Sequence, residues 1–225
     1  MSVTLTAMAT VGTVGAYLLA ERLYRRFHWV VLHPLLVTTV LGAVLLGPRP
    51  DVLSKYLEGS WLLIWALGPA TAALAIPFFQ SRAALASNPA KVLLSVAVGT
   101  AASVGTVLGL GTLLGVDASL VRALTLKSVT VPVAIPLAVE LGLDPGLVSC
   151  GVVVTGLFGM AVGPSLLRLL GVRRPLARGL ALGTIAHGLG TARALEQDGA
   201  EGGAGGAVAL ALVCILLSAA VALLR

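Results

Sequence analysis

Apolar residues fill this chain in long blocks, with no strand-like alternation and no polar helix face, and short polar stretches separate the blocks. A membrane-spanning helix needs roughly 20 consecutive apolar residues. Runs of about that length predict spans near 2–20, 29–47, 59–81, 90–115, 145–170 and 204–224. Two more segments, near 118–142 and 175–198, are long enough but are interrupted by polar residues, Gly or Pro. The predicted fold is therefore all-α: a polytopic transmembrane bundle of about 6–8 membrane segments with broken or re-entrant helices. The intervening loops are short, among them ERLYRRFH (21–28), GPRPDVLSKYLEG (47–59) and QSRAALASNPAK (80–91). No soluble domain fits between them. Residues 1–225 read as one transmembrane domain whose site must be built between helices.

Composition supports this class. The chain is 58% hydrophobic and 11% charged, with a mean hydropathy of +1.03, whereas soluble domains carry about 25% charged residues. So little charge cannot cover a water-facing surface. The formal charge of +6 reads as topology, because Lys and Arg hold loops in the cytoplasm. No basic face interleaved with aromatics supports nucleic-acid binding. Met1–Leu19 lacks a basic leading region, and Arg22, Arg25 and Arg26 follow the apolar run. That order predicts a first membrane helix with its C-terminal end in the cytoplasm and its N-terminus outside, rather than a cleaved signal. Cys150 and Cys214 lie in apolar stretches without metal-type spacing and are expected to be buried free thiols.

The same rule bears on segment 118–142. A full crossing there would put Arg168, Arg173, Arg174 and Arg178 outside. A re-entrant path, partway in and back out, puts them inside as the rule requires. The re-entrant path is preferred, and a broken but complete crossing is the alternative.

The chain also resembles itself. Asn88-Pro89 returns as Asp144-Pro145, LGTLLGV (110–116) as LLRLLGV (166–172), and SLVRALTL (119–126) as PLARGLAL (175–182), all at one offset of 56 residues. GPATAALAIP (68–77) resembles KSVTVPVAIP (127–136) at a slightly different offset. A first repeat unit is expected near 59–115 and a second near 118–198, with flanking helices at 2–20, 29–47 and 204–224. Repeats with interrupted helices are the signature of secondary transporters, and an odd number of crossings per unit would make them inverted.

Polar groups at membrane depth locate the expected site. They are Thr71 between Pro69 and Pro77; Lys127, Ser128 and Thr130 before Pro132 and Pro136; and His187 and Thr191 within GTIAHGLGTARALE. Proline frees a carbonyl one turn earlier, and irregular backbone survives in hydrocarbon only inside protein or beside a watery cavity. The four prolines, Pro69, Pro77, Pro132 and Pro136, are thus expected helix breaks. Half-helix N-termini favour anions, and Lys127 would strengthen that preference. The hydroxyls of Thr71, Ser128 and Thr130 would fix a ligand's orientation, and His187 could carry a coupling proton. Each has a plainer role open to it: Lys127 snorkelling to headgroups, His187 as a packing donor, the prolines as simple kinks. Arg193 and Glu196 are spaced to pair with each other. The Gly-rich DGAEGGAGGA (198–207) reads as a flexible entry to the last helix. No acid–base pair, nucleophile arrangement or metal-spaced cluster points to an enzyme.

GPATAALAIP, KSVTVPVA, TGLFGMAVGP and RGLALGTIAHGLGTARALE resemble, in that order, signature stretches of the LrgB/CidB family of bacterial membrane proteins, over about residues 30–223. One departure is Ala186, where the family often has Ser, so a hydroxyl there is not essential. The resemblance implies one of two roles. One is holin-like or antiholin-like work with a small LrgA/CidA-type membrane subunit in murein hydrolase export and lysis. The other is carriage of a small 2-hydroxy- or 2-oxo-carboxylate, as in the plant plastid glycolate/glycerate translocator and in pyruvate uptake linked to bacterial members. It carries Thr71, Lys127, Ser128, Thr130, His187 and Thr191 as motif positions. The chain is expected to be a monocarboxylate carrier with no cofactor beyond a coupling H+ or Na+, the holin-like role being the alternative. Many Pro and Gly interruptions and a repeat suit a carrier more than a small pore-former.

Overall fold

A computed structural model describes residues 3–27, 29, 32–73, 76, 79, 86 and 88–223. The described residues are helical with no strands, and the chain divides into two compact units, 1–73 and 74–225. Four of the described helices are long and apolar enough to cross a membrane. The protein is an all-α membrane bundle.

In the first unit, α1 (Val3–Phe27) is followed by α2 (Pro34–Leu46), α3 (Pro50–Gly59) and α4 (Trp61–Ala73). The first helix runs past the expected end and takes in ERLYRRF, because Glu21 and Arg25 form a 2.7 Å pair one turn apart that suits helix. The expected span at 29–47 contracts to the 13 residues of α2. The expected loop 47–59 is largely α3, started by Pro50, where a missing N–H costs nothing. Thr13 and Tyr56 share a 2.9 Å hydrogen bond, and the Trp61 ring N–H donates to Thr6 at 3.0 Å. Gly59 is required here, since a Cβ would lie 2.5 Å from the Leu5 carbonyl oxygen. Pro69 lies inside α4. Thr71 is also in α4, but its side chain, like the whole of Pro77, lies outside the described residues.

The second unit shows a repeated path. Helix α5 (Pro89–Leu113) leads to α6 (Ala118–Thr125) and α7 (Val131–Glu140); α8 (Pro145–Leu169) leads to α9 (Pro175–Leu223). Helices α5 and α8 are both 25 residues long and both start with Pro in the first turn, one offset of 56 apart. Each ends on a positive-φ glycine, Gly115 and Gly171. In each, the next residue's N–H reaches back five residues, Val116 to Gly111 and Val172 to Leu167, both at 2.9 Å. Helix α9 is not continuous: backbone angles leave the helical range at Ala186, His187 and Gly199. It is a leg at 175–185, a second leg at 188–198 folded back on the first, and a terminal span at 200–223. The fold-back is tight enough that a Cβ on Gly190 would lie 2.1 Å from the Leu182 carbonyl oxygen.

The second unit therefore holds the same pair of elements twice, a spanning helix followed by a hairpin: α6–α7 after α5 and the two legs of α9 after α8. The elements related in this way run over 89–142 and 145–199, a different division from the expected 59–115 and 118–198. Stretch 200–207 is helical rather than flexible. Gly202 and Gly206 pack on Gly179 and Gly183 so closely that a Cβ on Gly179 or Gly183 would lie 2.0 or 2.3 Å from a facing carbonyl oxygen. Small residues four apart let two membrane helices approach to backbone contact.

Candidate functional site

The α6–α7 hairpin begins where Asp117 caps α6, accepting from the Ser119 and Leu120 amides at 2.8 and 3.3 Å. Helix α6 runs back along α5, with Val121 against Gly111. It is closed by tight turns in which Leu126, Lys127 and Val129 donate to Ala123, Leu124 and Leu126. The tip is Lys127–Thr130. Thr130 is the extended N-cap of α7, Pro132 sits in the first turn, and Pro136 lies inside the helix. Pro132 thus starts a half-helix, and the chain reverses just before it.

Lys127 settles on α5. Its Nζ donates to Ser103 Oγ at 2.6 Å, and Ser103 shares a 3.1 Å hydrogen bond with Ser128. Ser103 stands about 21 Å along a helix about 37 Å long, near the middle of the span. The ammonium is therefore held level with the middle of α5. Ser128 and Val129 are buried, and Thr130 is half-buried. Among the described residues no carboxylate pairs with Lys127. Instead it lines a cavity of about 610 Å³ with Ser103, Thr106, Gly99 and Ile185, whose outer part is aliphatic.

The α9 hairpin brings its own tip to similar depth. His187 is buried, and its Nε2 lies 2.9 Å from the Val152 carbonyl oxygen on α8. A carbonyl can only accept, so Nε2 carries the hydrogen and Nδ1 is left with a lone pair. Thr191 Oγ1 donates to the His187 carbonyl at 2.9 Å. Three glycines of α8 make room for this leg: a Cβ on Gly156 would lie 2.5 Å from the His187 ring, and Gly159 and Gly163 face Ala186 and Leu182 at 2.7 Å. His187 has φ 42° and ψ −128°, a region that costs a non-Gly residue of order 1–3 kcal/mol. The two tips meet across shared neighbours. Thr184 faces Gly99 on α5, and Leu124 faces Gly151 on α8, one residue from the carbonyl that His187 holds.

The structure thus gathers Lys127 and Ser128 around Ser103, and His187 with Thr191 around Val152. Thr71 belongs to the other unit. Ser103 is the residue sequence reasoning passed over; its only signal was a hydroxyl within AASVGT, on a span that also carries Ser95, Thr100, Thr106 and Thr112. At the base of the α9 hairpin Arg178 pairs with Asp198 at 3.0 Å, both half-buried, and Arg193 pairs with Glu196 at 2.6 Å as its spacing predicts. Cys214 is half-buried, but Cys150 faces outward from α8 and is not the buried thiol expected.

The family model described as LrgB-like matches residues 13–225. The Bacillus subtilis (strain 168) protein YwbG is 34% identical over 192 residues, 84% of this chain and 84% of its own length. YxaC of the same strain is 34% identical over 184 residues, 82% of this chain and 80% of its own. An antiholin-like protein LrgB of Bacillus mycoides (strain KBAB4) is 29% identical over 168 residues, 75% and 73% of the two chains. No solved structure matches. With a family model covering nearly its whole length, and relatives of similar extent, this chain belongs to the LrgB-like family.

Proposed function

We propose that this protein is a secondary carrier of small monocarboxylates of the glycolate, glycerate or pyruvate kind. One observation carries the reading: an ammonium at mid-span, facing a cavity, with no carboxylate partner among the described residues. A charge inside a membrane segment is costly and needs an opposite charge or a watery surround. A substrate carboxylate supplies the opposite charge. Lys127 holds it, Ser103 and Ser128 extend the donor set, and the N-terminal end of α7 adds partial positive charge. Thr130 reads the hydroxyl or keto oxygen. Nδ1 of His187 takes the coupling proton, with a sodium ion as the other candidate. No chemical step on the substrate is part of this role.

Hairpins that follow antiparallel spans enter from opposite faces, which suits alternating access by movement of one repeat against the other. Lys91, Arg168, Arg173, Arg174 and Arg178 share one face of the second unit in this arrangement, which the positive-inside rule assigns to the cytoplasm. Arg22, Arg25 and Arg26 put the N-terminus of the chain outside. The membrane is the bacterial inner membrane.

The test is uptake of labelled glycolate, glycerate and pyruvate into proteoliposomes holding this protein alone, under an imposed pH or sodium gradient. Saturable uptake that is lost in Lys127→Met supports the carrier. Uptake indifferent to Lys127→Met sinks this site, and leakage of large dyes favours a pore.

A second reading has its own support in the name antiholin-like, borne by the Bacillus mycoides and Bacillus cereus relatives. In it the protein modulates murein hydrolase export and lysis through a small LrgA/CidA-type membrane subunit. The names of the relatives favour this reading, as the geometry favours the carrier. Co-purification with such a subunit, together with lysis timing in a deletion strain, tests it directly.

A further inference from the structure

A second cavity, of about 280 Å³, lies beside the first between α5 and the first leg of the α9 hairpin. The two share Gly99 and Ile185 and extend from there in opposite directions along α5. The larger runs past Ser103 and Lys127 to Leu114, beyond the C-terminal end of the helix. The smaller reaches Ser95 and Ala177, near the start of α5 and of the hairpin leg. At the junction Gly99 offers no side chain, because Thr184 Cγ2 would lie 3.2 Å from a Cβ there. Ile185 lines both spaces and is 37% exposed, while its neighbours Thr184 and Ala186 are buried.

We propose that the two cavities are the halves of one route along α5, and that the Ile185 side chain is the barrier between them. An apolar constriction blocks a pore by excluding water and opens when it widens. Ile185 sits one residue from the break at Ala186–His187, so a change at that break moves the barrier directly. Lys127 lies on the larger side, so an anion held there waits just short of it. The proposal rests on the carrier reading, but its geometry can be tested without transport.

The experiment starts from a Cys150→Ser/Cys214→Ala background in proteoliposomes of fixed orientation. Single cysteines at Val107, in the larger cavity, and Ala181, in the smaller, are treated with a membrane-impermeant thiol reagent from one face at a time. Val107→Cys is expected to react from one face and Ala181→Cys from the opposite face. Adding Ile185→Ala is expected to speed labelling of each from its far face by about tenfold or more, and Ile185→Val by less. Labelling of both sites from the same face, or from neither, overturns the route. Unchanged far-face labelling in Ile185→Ala overturns the barrier. If Ile185→Ala does not fold, the Ile185→Val rates and the two side-specific labels decide the matter. Correct labelling without any uptake leaves the route standing and defeats the carrier reading instead.

Discussion

At the scale of single residues, Lys127 and His187 answer to different physics. Lys127 is held by one hydroxyl, and a hydrogen bond to a charged group is worth about 1.5–3 kcal/mol. On the carrier reading Lys127→Met abolishes saturable uptake. Ser103→Ala frees the ammonium to swing, and KM is expected to rise roughly tenfold with maximal uptake retained, as read from concentration-dependent uptake. His187 is held by Val152 and strained at its own backbone. Replacing it by Ala keeps a Cβ in the left-handed region, which costs about 1–2 kcal/mol, whereas Gly does not. His187→Gly is therefore expected to unfold in detergent about 2–8 °C above His187→Ala. Equal midpoints would show that the φ of 42° carries no strain.

At the scale of elements, the α9 hairpin is secured at both ends of its legs. Glycine-to-glycine packing joins its first leg to the terminal span, so Gly183→Ala is expected to cost about 1–3 kcal/mol through overpacking. Gly105→Ala is the matched control: no atom lies within 4 Å of a Cβ there, and the helix gains about 1 kcal/mol of propensity. Opposite shifts in thermal midpoint check the pair. At the base, Arg178→Met leaves the buried Asp198 carboxylate unpaired and is expected to cost about 3–5 kcal/mol. The double change Arg178→Met/Asp198→Leu should restore most of it. If the single and double variants unfold alike, the ion pair does not hold the legs together.

At the scale of the second unit, the two hairpins follow antiparallel spans, and their outer turns must lie on opposite faces. Single cysteines at Leu141 and Ala200, exposed beside the turn glycines, in the cysteine-free background, are expected to react with an impermeant reagent from opposite faces, with Asp117→Cys behaving like Leu141→Cys. Reaction of Leu141→Cys and Ala200→Cys from one face would remove the inversion and, with it, the meeting of the two tips.

Much of this was legible in the sequence because hydrocarbon imposes a simple test. A run of about 20 apolar residues spans, and an interruption demands a reason. Spans α5 and α8 therefore lie within a residue or two of their expected limits, and the offset of 56 reappears in their lengths and end glycines. The site was legible to the extent that hydroxyl and charge at membrane depth are conspicuous, as at Lys127 and His187. Tertiary structure alone decided where those groups point. Ser103 could not be singled out from its own helix, because the distance that matters crosses to a tip 24 residues on. The glycines of 198–207 read as flexible for the same reason, since only the facing Gly179 and Gly183 turn absent side chains into close packing. The reversal at His187 was hidden too, because it goes with a ring held by the Val152 carbonyl and made room for by Gly156, not with a proline beside it. Composition and periodicity determine which solvent a segment can occupy; which groups converge inside it depends on packing between segments far apart in the chain.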